Sequence, residues 1–307
     1  MILKLAYVAL ASANPKRLCQ LLGESLGLPA ETRQHPDGDL VFYSLGQSRL
    51  CVAERGHTWL EHTDTTGVDH IAIDIGEDGF TQLPSTVRTN ACDPQSVMPG
   101  WIEQRLSPDS TSDIPLRLCT GFEELKPTIS NQIDRIDHIG VASRSCGDQQ
   151  AVFLHALGCP IESRQTDYET ELAVENFVSD RYGVIQHPRP ARLVGGLRVL
   201  FLSIGDCELE MLEELNTTST RAINRNAPGD TRQDRSAIGR FVERRGPGLH
   251  HIALKTQDIN GLLAQLNNDK WRLIDHVGRP GSRRALIGFI HPADLGGVLI
   301  HFVQRQE

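Results

Sequence analysis

Aromatic side chains are scarce. Phe, Trp and Tyr supply 5% of the 307 residues, and there are three methionines. That disfavours a binding site built by stacking a ligand between rings. Positive charge is also short. Lys and Arg number 31 against 39 Asp and Glu, a net charge of −8, which removes the electrostatic basis for a nucleic-acid partner. No apolar run reaches the length of a membrane span, and no basic N-terminal region precedes an apolar stretch. A cytoplasmic location with no membrane partner is expected. The seven cysteines (Cys19, Cys51, Cys92, Cys119, Cys146, Cys159 and Cys207) are odd in number, scattered, and never spaced CxxC. They read as small buried residues in a reducing compartment, not as a disulfide frame or a zinc knuckle. No phosphate loop and no activated serine or cysteine nucleophile is visible.

What is present is a repeated phrase. It runs Val68-Asp69-His70-Ile71-Ala72-Ile73, Ile136-Asp137-His138-Ile139-Gly140-Val141 and Leu249-His250-His251-Ile252-Ala253-Leu254. A weaker copy, Leu5-Ala6-Tyr7-Val8-Ala9-Leu10, places tyrosine where the others have histidine. Each copy alternates like a half-buried strand, so one small unit is used four times.

The last unit is the clearest. After its histidine strand, Gln257-Asp258-Ile259-Asn260 starts a helix with Ile259, Leu262, Leu263 and Leu266 at helical spacing. Strands are expected at Trp271–Ile274, Ala285–His291 and Val298–Val303, with a turn at Arg279-Pro280-Gly281-Ser282. The order is β-α-β-β-β. The third unit repeats it with a strand at Ile136–Ala142, a helix at Asp148–Leu157, a strand at Ile161–Arg164, and a hairpin of Leu197–Ser203 and Cys207–Leu212. It also carries an insert, Thr166–Val194, with a short helix and a Pro-rich stretch. An insert of that length suggests a lid over a pocket. In the first unit Asn14-Pro15 caps a helix running to Leu26, and Leu40–Leu45 with Arg49–Ala53 make a hairpin. The second unit, Val68–Cys119, has a Pro- and Ser-broken middle. Asn216–Asp234 lacks apolar periodicity and reads as exposed or disordered linker, leading into a short helix at Ser236–Glu243. The expected fold is α+β: four βαβββ modules forming two domains, 1–127 and 128–307, with the boundary at Lys126-Pro127-Thr128.

Alternation then decides which side chains meet. With Ile139 and Val141 facing the helix, His138 faces the concave side. The same parity points His251, Glu208, Glu210 and His301 inward. If the third and fourth modules pair, His138, Glu210, His251 and His301 converge. Imidazoles with one carboxylate suit zinc, iron(II), manganese, cobalt or nickel, and such an ion would polarise a bound carbonyl or activate water or oxygen.

These phrases, with Cys207-Glu208-Leu209-Glu210-Met211-Leu212-Glu213, Gly246-Pro247-Gly248-Leu249-His250-His251 and Gly288-Phe289-Ile290-His291-Pro292, make residues 134–304 resemble the vicinal oxygen chelate superfamily. That superfamily includes glyoxalase I, extradiol dioxygenases and antibiotic-sequestering proteins. The C-terminal half is most similar to methylmalonyl-CoA epimerases, and the N-terminal half is similar by architecture alone. The resemblance implies a divalent metal on His138, Glu210 and His251. It puts glutamate at the fourth place, where this chain has His301, and an acid/base carboxylate at the place of Arg198. Both proton-handling carboxylates of the epimerases are therefore replaced.

The implied function is a metal-dependent isomerase or lyase working through an enolate-like intermediate on a small oxygen-chelating substrate. His301 or Glu208 would act as base, and Arg198 would hold an anionic group. An iron(II) dioxygenase of the 4-hydroxyphenylpyruvate type and a non-catalytic binder are the alternatives. The N-terminal equivalents (Tyr7, Cys51, His70 and, approximately, Arg117) suit a metal poorly. They make that half a structural or dimerisation domain, possible in a homodimer, with His70 a structural histidine.

Overall fold

In the computed structural model, the four repeated phrases are the central strands of two eight-stranded sheets. The structure describes residues 4–85, 87, 89–90, 101–121, 130, 132–215 and 231–306. The N-terminal sheet comprises β1 (Lys4–Ser12), β2 (Ala30–Arg33), β3 (Leu40–Leu45), β4 (Ser48–Glu54), β5 (Gly67–Asp74), β6 (Thr89–Asn90), β7 (Ile102–Leu106) and β8 (Leu116–Thr120). Its order is β2-β3-β4-β1-β5-β8-β7-β6. The C-terminal half has β9 (Arg135–Ser143), β10 (Ile161–Glu171), β11 (Val174–Ser179), β12 (Gly183–Pro188), β13 (Arg192–Ile204), β14 (Cys207–Leu215), β15 (Gly248–Lys255), β16 (Arg279–Pro280), β17 (Leu286–Phe289) and β18 (Ile300–Gln304). Its sheet runs β10-β13-β14-β9-β15-β18-β17-β16, with β11 and β12 a separate hairpin.

The topology repeats. In each sheet the two phrase strands pair antiparallel at the centre, and each is flanked by the parallel last strand of its own module. Four βαβββ modules in two sheets are thus present, as the repeat predicts. The module helices are α1 (Pro15–Cys19), α2 (Gly79–Gln82), α4 (Cys146–Gln150) and α6 (Ile259–Asn268), with the short α3 (Pro108–Thr111) and the longer α5 (Thr231–Arg245) outside the pattern. Asn14 caps α1 by accepting from the Arg17 N–H, and Asp258 caps α6 by accepting from Gly261. Helices α1 and α4 run on into wider turns, Gln20–Ser25 and Ala151–Ala156. Leu10, Ile71, Ile139 and Ile252 belong to one apolar cluster on the helix side that runs through both halves.

The halves also join by hydrogen bonds. Ser12 Oγ donates to the Leu295 carbonyl and the Ala13 N–H to the Gly296 carbonyl, both at 2.9 Å. The Trp271 indole N–H donates to Ser25 Oγ at 3.0 Å. Gly296 has φ of +63°, and a Cβ there would lie 2.3 Å from the Asn14 nitrogen and Ser12 Oγ, so the turn needs glycine for conformation and for close approach.

Several local expectations are corrected. The 166–194 insert holds no helix. It extends β10 and β13 and ends in the β11–β12 hairpin, because Tyr168, Val174, Phe177, Val178 and Val184 favour extended backbone. Trp271–Ile274 is not a strand and makes one bridge, Leu273 to Ile290. Arg279–Pro280, expected as a turn, pairs with β17. Residues 231–234, expected as linker, begin α5. The rest of that stretch, 216–230, lies outside the described residues, as does the 126–128 boundary. Six cysteines among the described residues are free thiols, five of them buried. No helix among the described residues is long and apolar enough to cross a membrane.

Candidate metal centre

Strand register brings the four inward residues together. Glu210 lies opposite Gly140 across β14 and β9, Gly140 opposite His251 across β9 and β15, and Ala253 opposite both His138 and His301. His138, His251 and His301 each offer a nitrogen, all within 4.8 Å of one another. Glu210 Oε2 lies 3.3 Å from His138 Nε2 and 3.4 Å from His251 Nε2. None of the four is more than 5% exposed. Gly140 makes the convergence possible, since a Cβ there would fall 2.0 Å from the His251 ring.

The donor set fits a divalent cation. Both nitrogens of His301 are buried without a hydrogen-bond partner among the described residues. Buried polar atoms are rarely left so. Burial lowers the pKa of His138, but the Glu210 and Asp137 carboxylates outweigh it and raise the value to about 9. Burial, with His251 and His138 alongside, drives His301 well below the usual histidine range. Burial raises the Glu210 pKa, yet His138 and His251 beside it hold the carboxylate well below its ordinary value.

A further layer fixes the histidines. Asp137 Oδ1 lies 2.7 Å from His138 Nδ1, and Arg305 grips both Asp137 oxygens at 2.8 and 2.6 Å. This chain sets the ring so that Nε2 faces the centre. His250 Nδ1 lies 3.0 Å from His251 Nδ1. Burial, with His251 beside it, pushes the His250 pKa down to about 3.

Above the cluster a cavity of about 170 Å³ opens, walled by Phe201, Leu212, Ile238, Ile287, Phe289 and Val303. Ile238 comes from α5, which closes over the concave face. Arg283 roofs another side with its guanidinium 3.6 Å from the Phe201 ring centre.

Two sequence candidates lie elsewhere. Arg198 is on the opposite face of β13 from Phe201, about half exposed and paired with Glu213 at 2.9 Å. The parity that turns Val199 and Phe201 inward turns Arg198 out. Glu208 is on the concave side but is held by Arg283 and Arg305, so it is a structural anion and not a free base. Sequence reasoning missed Asp137, Arg305, Gly140 and His250. The acid before histidine in both Asp69-His70 and Asp137-His138 was the available signal for Asp137.

Residues 137–289 match the glyoxalase/bleomycin resistance protein/dioxygenase superfamily, and the chain carries a domain of that superfamily. An uncharacterized Bacillus subtilis protein, YqjC, is 25% identical over 172 residues, 56% of this chain and 93% of its own length. The mitochondrial methylmalonyl-CoA epimerase of Bos taurus is 26% identical over 109 residues, 36% of this chain. The match spans about half, 53%, of that relative. A mutant 4-hydroxymandelate synthase from Streptomyces coelicolor superposes on 99% of this chain and 92% of its own, with a TM-score of 0.60 at 16% identity. That likeness extends the shared fold to both halves.

Proposed function

We propose that the protein is a metal-dependent isomerase or lyase acting on a small substrate that chelates through neighbouring oxygens. The observation that carries this reading is the buried cluster of three imidazoles and Glu210 at the floor of an apolar cavity. His138, His251 and Glu210 would hold the ion, with His301 either its fourth ligand or the base. When bound, zinc, iron, manganese, cobalt or nickel would polarise the substrate oxygens and stabilise an enolate-like charge. Asp137 and Arg305 hold the His138 ring, and Phe201, Phe289 and Ile238 keep water away. With Arg198 turned outward and Glu208 engaged by two guanidinium groups, His301 is the one proton acceptor left of those nominated from sequence. The N-terminal half serves as structural support.

The second reading is an iron(II) dioxygenase. Two features favour it: His138, His251 and Glu210 form a two-histidine, one-carboxylate set, and the only carboxylates lining the described cavity, Asp137 and Glu210, are both engaged.

The test is metal content of protein purified without chelators, alongside His251→Ala. Near-stoichiometric metal that the variant loses is expected. Zinc, cobalt, nickel or manganese would favour the isomerase or lyase, and iron with oxygen uptake the dioxygenase. Protein that takes up no metal from excess would overturn both and leave a non-catalytic binder. His301→Gln separates its two roles. A ligand variant loses metal, whereas a base variant keeps metal and loses turnover.

A further inference from the structure

The metal cavity has a neighbour on the far side of one short strap. Gly281, Arg283 and Ala285 line the cavity of about 170 Å³ over the histidines. The same three residues line an outer hollow of about 580 Å³, whose other walls include Gln165, Arg284 and Gln306. The strap is therefore the partition between the two. The inner cavity alone is smaller than the ~300–1,000 Å³ usual for a small-molecule site.

Arg283 ties this strap across the concave face. The strap follows β16, at one end of the C-terminal sheet, and its bonds reach β10 at the other end. The Arg283 N–H donates to Gln165 Oε1 at 3.0 Å, and the guanidinium donates to Glu162. The same guanidinium holds Glu208 of β14 and lies over Phe201 of β13. Among the described residues, the strap's other backbone bonds are internal: Gly281 N–H to the Ala285 carbonyl and Ala285 N–H to the Ser282 carbonyl. Three features make the tie releasable. Arg283 and Arg284 are both left-handed, with φ of 55° and 60°, a conformation non-glycine residues hold only where their surroundings impose it. Arg283 Nε is buried with no partner among the described residues, so opening hydrates a donor that the closed strap leaves unsatisfied. The Glu162 side chain is 39% exposed, and water competes for its half of the ion pair.

We propose that the 281–285 strap is a movable partition that swings out when Arg283 lets go of Glu162 and Gln165, merging the outer hollow with the metal cavity. The merged site takes a substrate longer than the inner cavity, with a chelating head at the histidines and an anionic tail against Gln165, Arg284 and Gln306. The head rests on the metal-centre reading above; the movement of the strap does not.

Thiol labelling tests the movement without metal. Ala285→Cys puts a thiol on the strap where the native side chain is 3% exposed. Its labelling by a water-soluble reagent, read at that peptide by mass spectrometry, should be at least ~100-fold slower than that of an exposed thiol. Adding Glu162→Gln with Gln165→Ala should speed it ~10-fold, and adding Arg283→Ala ~100-fold. Hydrogen exchange of segment 281–287 in the same latch variants, without the cysteine, should rise in parallel, and decides the matter if Ala285→Cys does not fold. The merged pocket is tested by calorimetry on zinc-loaded protein with acetohydroxamate and with a hydroxamate on a long, carboxylate-ended chain. Arg283→Ala should tighten the long probe ~10-fold and leave acetohydroxamate unchanged, whereas Arg284→Ala should weaken the long probe alone. Wild-type labelling at the rate of an exposed thiol, or labelling and exchange that ignore the latch variants, overturns the moving strap. Equal effects on both probes overturn the merged pocket. Protein that binds no zinc overturns the metal-centre reading, and the chelating head with it, while labelling and exchange still decide the strap.

Discussion

The two sheet centres occupy the same strand positions and have reached opposite solutions. By register, Tyr7 stands where His138 does, Cys51 where Glu210 does, His70 where His251 does and Arg117 where His301 does. In the N-terminal centre, Trp59 and Trp101 pack on Tyr7 and fill the space that is a cavity in the other. The Tyr7 hydroxyl donates to Glu103 at 3.0 Å, Arg117 pairs with Glu103 and Glu61, and His70 lies 2.6 Å from Asp69 and 3.3 Å from the Tyr7 hydroxyl. Burial, with Arg117 nearby, lowers the His70 pKa to about 4, so the ring is neutral. One centre carries its cation covalently, as a guanidinium. In the other, the place of that guanidinium is taken by His301, and the nearby arginines, Arg283 and Arg305, are held by Glu208 and Asp137 at the edge of the cluster. The N-terminal centre is thus closed by a side-chain cation and two indole rings where the C-terminal one has imidazoles and a cavity.

The contrast is broken most severely at Glu210. Glu210→Ala removes the carboxylate touching two imidazoles, and metal affinity should fall by more than ~1000-fold in a competition titration. A variant that still holds metal tightly would make the centre a purely histidine one. Gly140→Ala comes next. Its methyl must displace the His251 ring, so metal affinity should drop ~100-fold, while the matching N-terminal position already carries Ala9 beside His70. Asp137→Asn or Arg305→Ala should cost ~10–100-fold in metal affinity by freeing the His138 ring. Unchanged affinity in both would deny them a positioning role.

Proton competition is the next effect. Glu210 and Asp137 push the His138 pKa up to about 9 against the effect of burial, which favours a proton on the ring at pH 7 that metal must displace. Affinity should fall about tenfold per unit as pH drops below 9, and calorimetry in buffers of different ionisation enthalpy should detect about one proton released. The smallest effect belongs to the sealed centre. Tyr7→Phe leaves Glu103 short of a donor and should cost ~1–3 kcal/mol in denaturant unfolding, with metal binding unmoved. A change in metal binding would show that the centres are coupled.

The repeat and its period-two alternation made the four-module architecture and the inward quartet legible, because both depend on strand parity alone. Arg198 was misplaced because it was positioned by resemblance, whereas parity along Leu197–Phe201 turns it outward. Glu208 read correctly as inward, but its partners Arg283 and Arg305 come from distant segments, and no local pattern announces such ion pairs. The insert hid its hairpin behind a Pro-rich stretch, and Arg279–Pro280 was read from turn composition although its strand character comes only from pairing with β17.

The Gly296 turn carries a consequence for cooperativity. It ties the end of β1 to the loop that feeds β18, the strand bearing His301 and leading to Arg305. Ordering of the last strand is therefore shared between the halves. A ligand that touches only C-terminal residues would slow opening of the N-terminal sheet too, and hydrogen exchange would register protection far from the atoms that bind it.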